Sequence, residues 1–382
     1  MKLLFLLPIL TYRGSEQVVS QLVNYLRSQG HSITIITPYK DDTISIPQAN
    51  IIHPGKAIML LCKNPFLYIF IAPVVLLIYS LRNIKKTDLI ITDNFPCLQI
   101  ATLLSILFKK NFILSIHGIE TNTSPEQSMI EKIHHHIVTN LNKVTNRYVK
   151  KIIVNSPKVQ RNAKIIWPKA EIKILIPPVS LSPVENSPPS EIRKRYNISD
   201  NQILVSVGVL HPLKNQTLLV KVLATITQIY PHIVLMLIGD GNKQPIHALA
   251  QSLGVQKNIL FTGFVSHKNI HAYYEAADIL LQPAFYPEGL SLTVFEAMLA
   301  KKLAICAEGA GAADIIREQN IGIVADPTPE KFAAEILKYL ANPAEYEPII
   351  NRGYEYVQKN LTLIQYGKLF ENEINATISD TQ

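Results

Sequence analysis

Short apolar runs recur along the whole chain, and what separates them restricts it to one broad architecture. Leu3–Leu7 and Ile33–Thr37 read as strands, and Glu16–Gln29 between them has helical spacing, with Gly30 at the C′ position. Strand, helix and strand in that order make a βαβ unit, so the two strands run parallel. The apolar pattern returns at Asp88–Thr92, Asn111–Ile116, Lys151–Asn155 and Ile172–Ile176. It returns again at Ile203–Gly208, Ile233–Gly239, Ile259–Val265, Asp278–Pro283, Leu303–Ala307 and Gly322–Val324. An α/β fold is expected.

At 382 residues the chain is too long for one ordinary core, so two domains are expected. Pro177, Pro178, Pro183, Pro188 and Pro189, with serines between them, mark a linker. The boundaries fall at residues 1–180 and 181–362. Charge divides along the same line. Residues 1–180 hold 21 basic and 9 acidic side chains, a net +12, against 16 and 20 in the remainder, a net −4. A basic half of this kind suits an anionic surface. Its basic residues are scattered and lack the aromatic interleaving of a nucleic-acid groove, so no nucleic-acid partner is expected. Cys62, Cys97 and Cys306 stand far apart in an odd count, which favours a reducing, cytoplasmic setting over a disulfide framework. The opening Met1–Leu7 has no Ala-x-Ala-like cleavage site and runs at once into a turn and a helix, so it reads as a buried strand.

Residues 57–81 are the most unusual by composition. No charge occurs from Pro65 to Leu81, and Arg82, Lys85 and Lys86 follow immediately. A spanning helix wants about 20 apolar residues, whereas this run is shorter and interrupted by Pro73. Three readings stay open: a buried helix, an interfacial helix with a basic rim, and a transmembrane span. The interfacial reading would put the first half peripherally on an anionic membrane, the inner face of the plasma membrane for a cytoplasmic protein.

The chemistry centres on Pro287–Met298. Glu288 lies in a loop, Gly289 allows a tight turn, and Glu296 falls on a helix packed through Phe295, Met298 and Leu299. Unpaired N–H groups in the first turn, around Ser291 and Leu292, form an anion site between the two carboxylates. Each carboxylate can accept two hydroxyl hydrogen bonds, which suits the vicinal diol of a sugar or ribose. A pair of glutamates at this spacing is common on helix surfaces, so its context decides.

The arrangement resembles the Glu-x7-Glu signature of the retaining glycosyltransferases of family 4, the "glycosyl transferases group 1". The resemblance implies the GT-B fold, two Rossmann-like domains facing across a cleft, and it runs from residue 2 to roughly 365. It implies a final helix, residues 363–378, packed back onto the first domain. Glu288 would bind the transferred sugar, Gly289, Leu290, Ser291 and Leu292 the diphosphate, and Glu296 the ribose. His117, in His117-Gly118-Ile119-Glu120 at a strand's carboxyl end, matches a family histidine that contacts the sugar. Gly14, in Tyr12-Arg13-Gly14-Ser15, matches a glycine-rich loop near the diphosphate, with Arg13 where a second glycine is common. Gly208 and Lys214 match a phosphate clamp, and Val209 stands where the family usually carries arginine. Gly239 belongs to a Gly-Asp-Gly turn, while Phe264 and Val265 lie where backbone holds the base.

No Asp-x-Asp occurs, so the carboxylate pair that holds a metal–diphosphate is missing. Neutralisation would fall to Lys214, helix N-termini and amides, with no metal and no other cofactor. His134, His135 and His136 are not at metal-ligand spacing. No arrangement for covalent hydrolase chemistry is recognisable. The expected reaction moves a sugar from a nucleotide sugar to the hydroxyl of an acceptor glycan or lipid-linked sugar, with retention, in cell-surface polysaccharide or glycolipid assembly. A GT-B epimerase or phosphorylase, or a non-catalytic membrane-associated subunit, are the other readings.

Overall fold

The computed structural model describes residues 1–10, 14–41, 46, 49–117, 129–181, 189–284 and 289–379; the side chains of 14–16, 65 and 129–135 lie outside that set. Tyr12, Arg13, Gly118, Glu120, Pro183, Pro188 and Glu288 lie outside the described residues. The chain forms two compact units, Met1–Pro178 with Leu363–Gln382, and Val179–Thr362.

The first unit opens with β1 (Lys2–Leu6), α1 (Gly14–Ser28), β2 (Ser32–Ile36) and β3 (Asn50–Ile52). Two adjacent helices, α2 (Lys56–Leu61) and α3 (Pro65–Asn83), lead to β4 (Leu89–Thr92). Then come α4 (Cys97–Phe108), β5 (Phe112–Ile116), α5 (Met129–Thr145), β6 (Lys151–Val154), α6 (Pro157–Ile166) and β7 (Glu171–Ile174). All seven strands pair in parallel in the order β3-β2-β1-β4-β5-β6-β7.

That order fixes where the helices lie. From β3 onward every connection moves the same way across the sheet, so right-handed crossovers put α3, α4, α5 and α6 on one face. The connection from β1 to β2 moves the opposite way and carries α1 on the other face. One core cluster joins Leu76, Leu98, Leu104, Val159 and Trp167 of the first helical layer to Leu4, Ile90, Leu114 and Ile152 of the strands. Within that layer Gln99 Nε2 donates to Asn142 Oδ1 at 3.0 Å, tying α4 to α5.

The apolar segment differs from its sequence reading. Pro73 does not interrupt α3, which continues through it for 19 residues. The proline removes one donor, the one that the carbonyl of Ile69 would otherwise receive, and packing through Ala72, Val75 and Leu76 outweighs that loss. With the 3-10 turn Ile84–Lys86, the stretch Phe66–Lys86 is long and apolar enough to cross a membrane by length and composition. Its inner side nonetheless belongs to the core of this unit, where Leu76 and Ile84 are fully buried.

The second unit starts with α7 (Pro189–Arg195), β8 (Ile203–Val207), α8 (Gln216–Ile226), β9 (Val234–Ile238) and α9 (Gln244–Ser252). It continues with β10 (Ile259–Gly263), α10 (Ile270–Ala276), β11 (Ile279–Gln282), α11 (Leu292–Leu299) and β12 (Leu303–Ala307). α12 (Ala313–Gln319), β13 (Ile323–Ala325), α13 (Pro329–Ala341) and α14 (Glu347–Asn360) complete it. Its strands are parallel in the order β10-β9-β8-β11-β12-β13. Both units are therefore Rossmann-like.

α15 (Leu363–Ser379) returns to the first unit. Glu371 meets His31 at 2.8 Å, and Glu373 meets the buried Lys151 at 2.7 Å. Gly367 allows the helix to approach α1, since a Cβ there would stand 2.3 Å from the Tyr25 ring. Alanine normally stabilises a helix interior by about 1 kcal/mol over glycine. Here Gly367→Ala is expected to do the reverse, lowering unfolding free energy by about 1–3 kcal/mol through overpacking. Urea titration checks the sign, and adding Tyr25→Ala restores part of the loss.

Candidate functional site

In the second unit the direction of winding reverses between β8 and β11. Their loops part there and leave a crevice at the carboxyl ends of the strands. Gly208 closes β8 with φ +153° and Gly239 closes β9 with φ +143°, both in the region that favours glycine. A Cβ on Gly239 would stand 2.1 Å from the Gly208 carbonyl oxygen, so the two turns can touch only without side chains. Backbone bonds then join neighbouring loops: Gly208 N–H to Ile238 O, Leu210 N–H to Asp240 O, and Gly239 N–H to Gly263 O. Asp240 Oδ1 also accepts from the Phe264 N–H at 3.0 Å. The result is a polar shelf of main chain along the edge of the sheet.

Lys214 ends the 3-10 turn Pro212–Lys214, and its Cε lies 3.7 Å from where a Gly208 Cβ would be. The ammonium is largely desolvated, and burial pushes its pKa down to about 8. A desolvated cation gains strongly from an anion placed beside it. Gln216 Nε2 donates to the Val209 carbonyl at 2.9 Å, fixing that turn, while the Val209 side chain is exposed.

On the other side of the crevice, β11 ends at the buried Gln282, whose Nε2 donates to Ser291 Oγ. Thr293 Oγ1 lies 2.9 Å from the same oxygen. Ser291 is the N-cap of α11, yet its side chain caps no N–H of the first turn. Those amides keep their donor capacity toward an anion. Gly289 and the buried Leu290 lead directly into the turn.

Glu296 sits one turn further along α11, with its side chain 12% exposed. Tyr274 Oη donates to Oε2 at 2.7 Å, and His267 Nε2 lies 3.4 Å from Oε1. Hydrogen bonding to Glu296 raises the His267 pKa against the opposing effect of burial. Burial and then Glu296 hold the Tyr274 hydroxyl well above its ordinary range, so it stays a donor. The carboxylate is oriented from two sides before any ligand arrives.

Gly208, Lys214, Gly239, Phe264, Val265, Gly289, Leu290, Ser291, Leu292 and Glu296 thus come together at one edge of the second sheet. Gly14 and His117 belong to the first unit, and Glu288 lies outside the described residues. Gly14 is the first residue of α1. His117 follows β5, where its carbonyl accepts from Asn155 Nδ2 at 2.8 Å. It lines a cavity of about 20 Å³ with Thr92, Asp93 and Ser115. Burial pushes the Asp93 carboxyl up, with His117 and the Asn94 N–H pulling the other way. The sequence reading passed over Asp93, His267, Tyr274 and Gln282. Asp93, His267 and Gln282 lie at or just past strand ends as His117 does, and that rule could have flagged them; Tyr274 carries no such signal. Among the described residues no group of three or more His, Cys, Asp or Glu side chains could hold one metal ion.

Two family models match the chain, "Glycosyltransferase Family 4" over residues 12–181 and "Glycosyl transferases group 1" over residues 189–356. The chain belongs to the family 4-type glycosyltransferases of the GT-B fold. A GDP-mannose-dependent α-(1-6)-phosphatidylinositol monomannoside mannosyltransferase of Mycobacterium tuberculosis is 28% identical over 182 residues, 45% of this chain and 47% of that protein. The putative glycosyltransferase EpsD of Bacillus subtilis is 30% identical over 146 residues, 38% of this chain and 37% of that one. The match therefore spans less than half the length of these curated relatives. Among solved structures, HepE of Anabaena in complex with UDP has a TM-score of 0.78 at 18% identity, over 98% of this chain and 100% of its own. Sucrose-phosphate synthase from Thermosynechococcus elongatus has 0.79 at 19%, over 98% and 99%. At these identities the likeness establishes the fold.

Affinity for a nucleoside diphosphate is expected to fall as pH rises past about 8, because Lys214 must take up a proton to bind the anion. Calorimetry across pH 6.5–9.5 checks this, and Lys214→Met should bind weakly with that step absent. Tyr274→Phe is expected to cost roughly fivefold in nucleotide affinity, about 1 kcal/mol, by freeing the Glu296 carboxylate.

Proposed function

We propose that the protein transfers a sugar from a nucleoside diphosphate sugar to an acceptor hydroxyl with retention and without a metal ion. The carrying observation is the crevice of the second unit. There a desolvated lysine lies against the glycine turn after β8, α11 opens after β11 without a side-chain cap, and the Glu296 carboxylate is oriented by Tyr274. Lys214, the first-turn amides of α11 and the Gly208 and Gly239 turns neutralise the diphosphate. Glu296 takes the ribose diol, and the backbone at Phe264 and Val265 takes the base. Glu288 and His117 are assigned to the sugar.

In the reaction the bond between the anomeric carbon and the diphosphate oxygen breaks, and the acceptor oxygen bonds to the same face of that carbon. The acceptor proton leaves with the diphosphate. These residues act by positioning and by stabilising the departing charge, not as the acid/base pair of a glycosidase. A UDP-bound structural neighbour and the mannosyltransferase relative support a nucleotide-sugar donor, and the latter's phosphatidylinositol mannoside substrate supports a glycolipid or cell-surface polysaccharide role. The odd cysteine count and buried thiols suit a cytoplasmic enzyme.

Glu296→Ala should weaken binding of the bare nucleotide. Glu288→Ala should leave that binding nearly unchanged and lower turnover with intact donor. Identical behaviour of the two variants on both ligands would contradict the division of roles. Val209→Arg places a second cation beside the Gly208 turn and should tighten donor binding. Product analysis without acceptor separates transfer from epimerase chemistry.

A further inference from the structure

The outer side of the α2–α5 layer is apolar where a helical surface layer is normally charged. On α3 the residues facing away from the core are Phe66 (65% exposed), Phe70 (63%), Val74 (55%), Ile78 (47%) and Leu81 (43%), a single stripe at helical spacing. The same face continues beyond α3. Leu60 and Leu61 are exposed on α2, Ile106 and Leu107 on α4, and Ile137 and Val144 on α5. Crossover handedness places α3, α4 and α5 side by side, so their stripes form one surface. A monomeric protein rarely leaves so broad an apolar surface without a partner.

Charge is arranged along one border of that surface. α3, α4 and α5 each run back toward the strand starts, so their last turns share the edge where β4, β5 and β6 begin. Arg82, Lys85 and Lys86, then Lys109 and Lys110, then Lys143, Arg147 and Lys150 all fall on that edge. None of these eight makes an ion pair with a carboxylate among the described residues. Two of them, Arg147 and Lys150, line a recess of about 390 Å³ together with the paired Lys151. Between Asp42 and Glu120 the only acidic residues are Asp88, which accepts from the Lys2 backbone N–H, and the buried Asp93. Glu131 is the single acidic residue in α3–α5, at the end away from the basic edge.

We infer that this face docks flat on an anionic phospholipid bilayer, the apolar stripes entering the interface and the basic edge meeting the headgroups. An apolar face bordered by cations and nearly free of acids complements such a surface. A second copy of the chain would present the same cations and almost no acids to meet them, so self-association through this face is disfavoured. α3 cannot span the bilayer while its inner side, through Leu76, forms the core of the unit. Its first turn lies at the carboxyl edge of the sheet, where Tyr68 Oη donates to the Pro8 carbonyl at 2.7 Å. The stripe thus leads from the headgroup edge to the edge that carries His117. Resting on the transferase reading, this makes the acceptor lipid-linked, its sugar at the carboxyl edge and its chain left in the bilayer.

The test is co-sedimentation of the full chain with phosphatidylcholine vesicles, with and without phosphatidylglycerol, in the absence of nucleotide sugar. Binding to the anionic vesicles alone, weakening with salt, is expected. The triple variant Arg82→Gln, Lys85→Gln, Lys86→Gln should lower partitioning about a hundredfold, since each cation near the surface counts for about 1 kcal/mol. Leu107→Ser with Val144→Ser, far in sequence from α3 and on exposed positions, should also lower it several-fold with unchanged thermal unfolding. No binding at low salt would overturn the proposal. So would binding unaffected by the α4 and α5 changes, resistance of cell-bound protein to alkaline carbonate, or a dimer broken by those changes. Because no donor is present, a negative result leaves the transferase reading standing, and absent transfer to a water-soluble acceptor would strike that reading alone.

Discussion

Parallel strands covered on both faces leave little room for charge along their length, and the molecule follows from that restriction; Lys151, at the start of β6, is buried only with Glu373 beside it. Leu3–Leu6, Leu89–Thr92, Ile152–Val154 and Leu280–Ala284 are buried throughout. Polar chemistry is displaced to the strand ends, where carbonyl and N–H groups lose their ladder partners. At the carboxyl ends of the second unit's strands, where the winding reverses, glycine turns and a helix N-terminus present groups that suit an anion. At the amino ends the helices finish, and there the basic residues of the first unit collect. Ligand chemistry at one edge and cationic character at the other are two outcomes of one packing rule.

The second unit shows how little side chain an anion site needs. The contact between the Gly208 carbonyl and the Gly239 turn comes first, since any Cβ would separate the loops. Lys214 then lies over the glycine surface with most of its water removed, which lowers its pKa. Gln282 and Thr293 occupy the Ser291 hydroxyl, so the helix N-terminus is reserved for what binds from outside. Glu296 is held by Tyr274 and His267, so its carboxylate is oriented before any ligand arrives.

Much of this is legible in the sequence because it is local. Strand, turn and helix follow from apolar runs and glycine placement, and the sequence resemblance pointed to Lys214, Ser291 and Glu296. The contacts that orient those groups are not local. Tyr274 reaches Glu296 across 22 positions, and His267 has no sequence mark beyond following a strand. Pro73 misled for a different reason: its local cost is real, but tertiary packing of Ala72, Val75 and Leu76 overrides it. The breadth of the apolar face was hidden too, since it comes from laying three separated helices side by side.

Binding of a nucleoside diphosphate sugar in the second unit's crevice, without metal, is the property to measure first. A panel of nucleotide sugars, each added in excess chelator, would be read by the shift of thermal unfolding. A ligand at a hundred times its dissociation constant stabilises by about 2.7 kcal/mol, a shift of several degrees. The expected result is stabilisation by at least one sugar nucleotide, undiminished by chelator and abolished in Lys214→Met. Stabilisation that requires a divalent cation, or that survives intact in that variant, would contradict it.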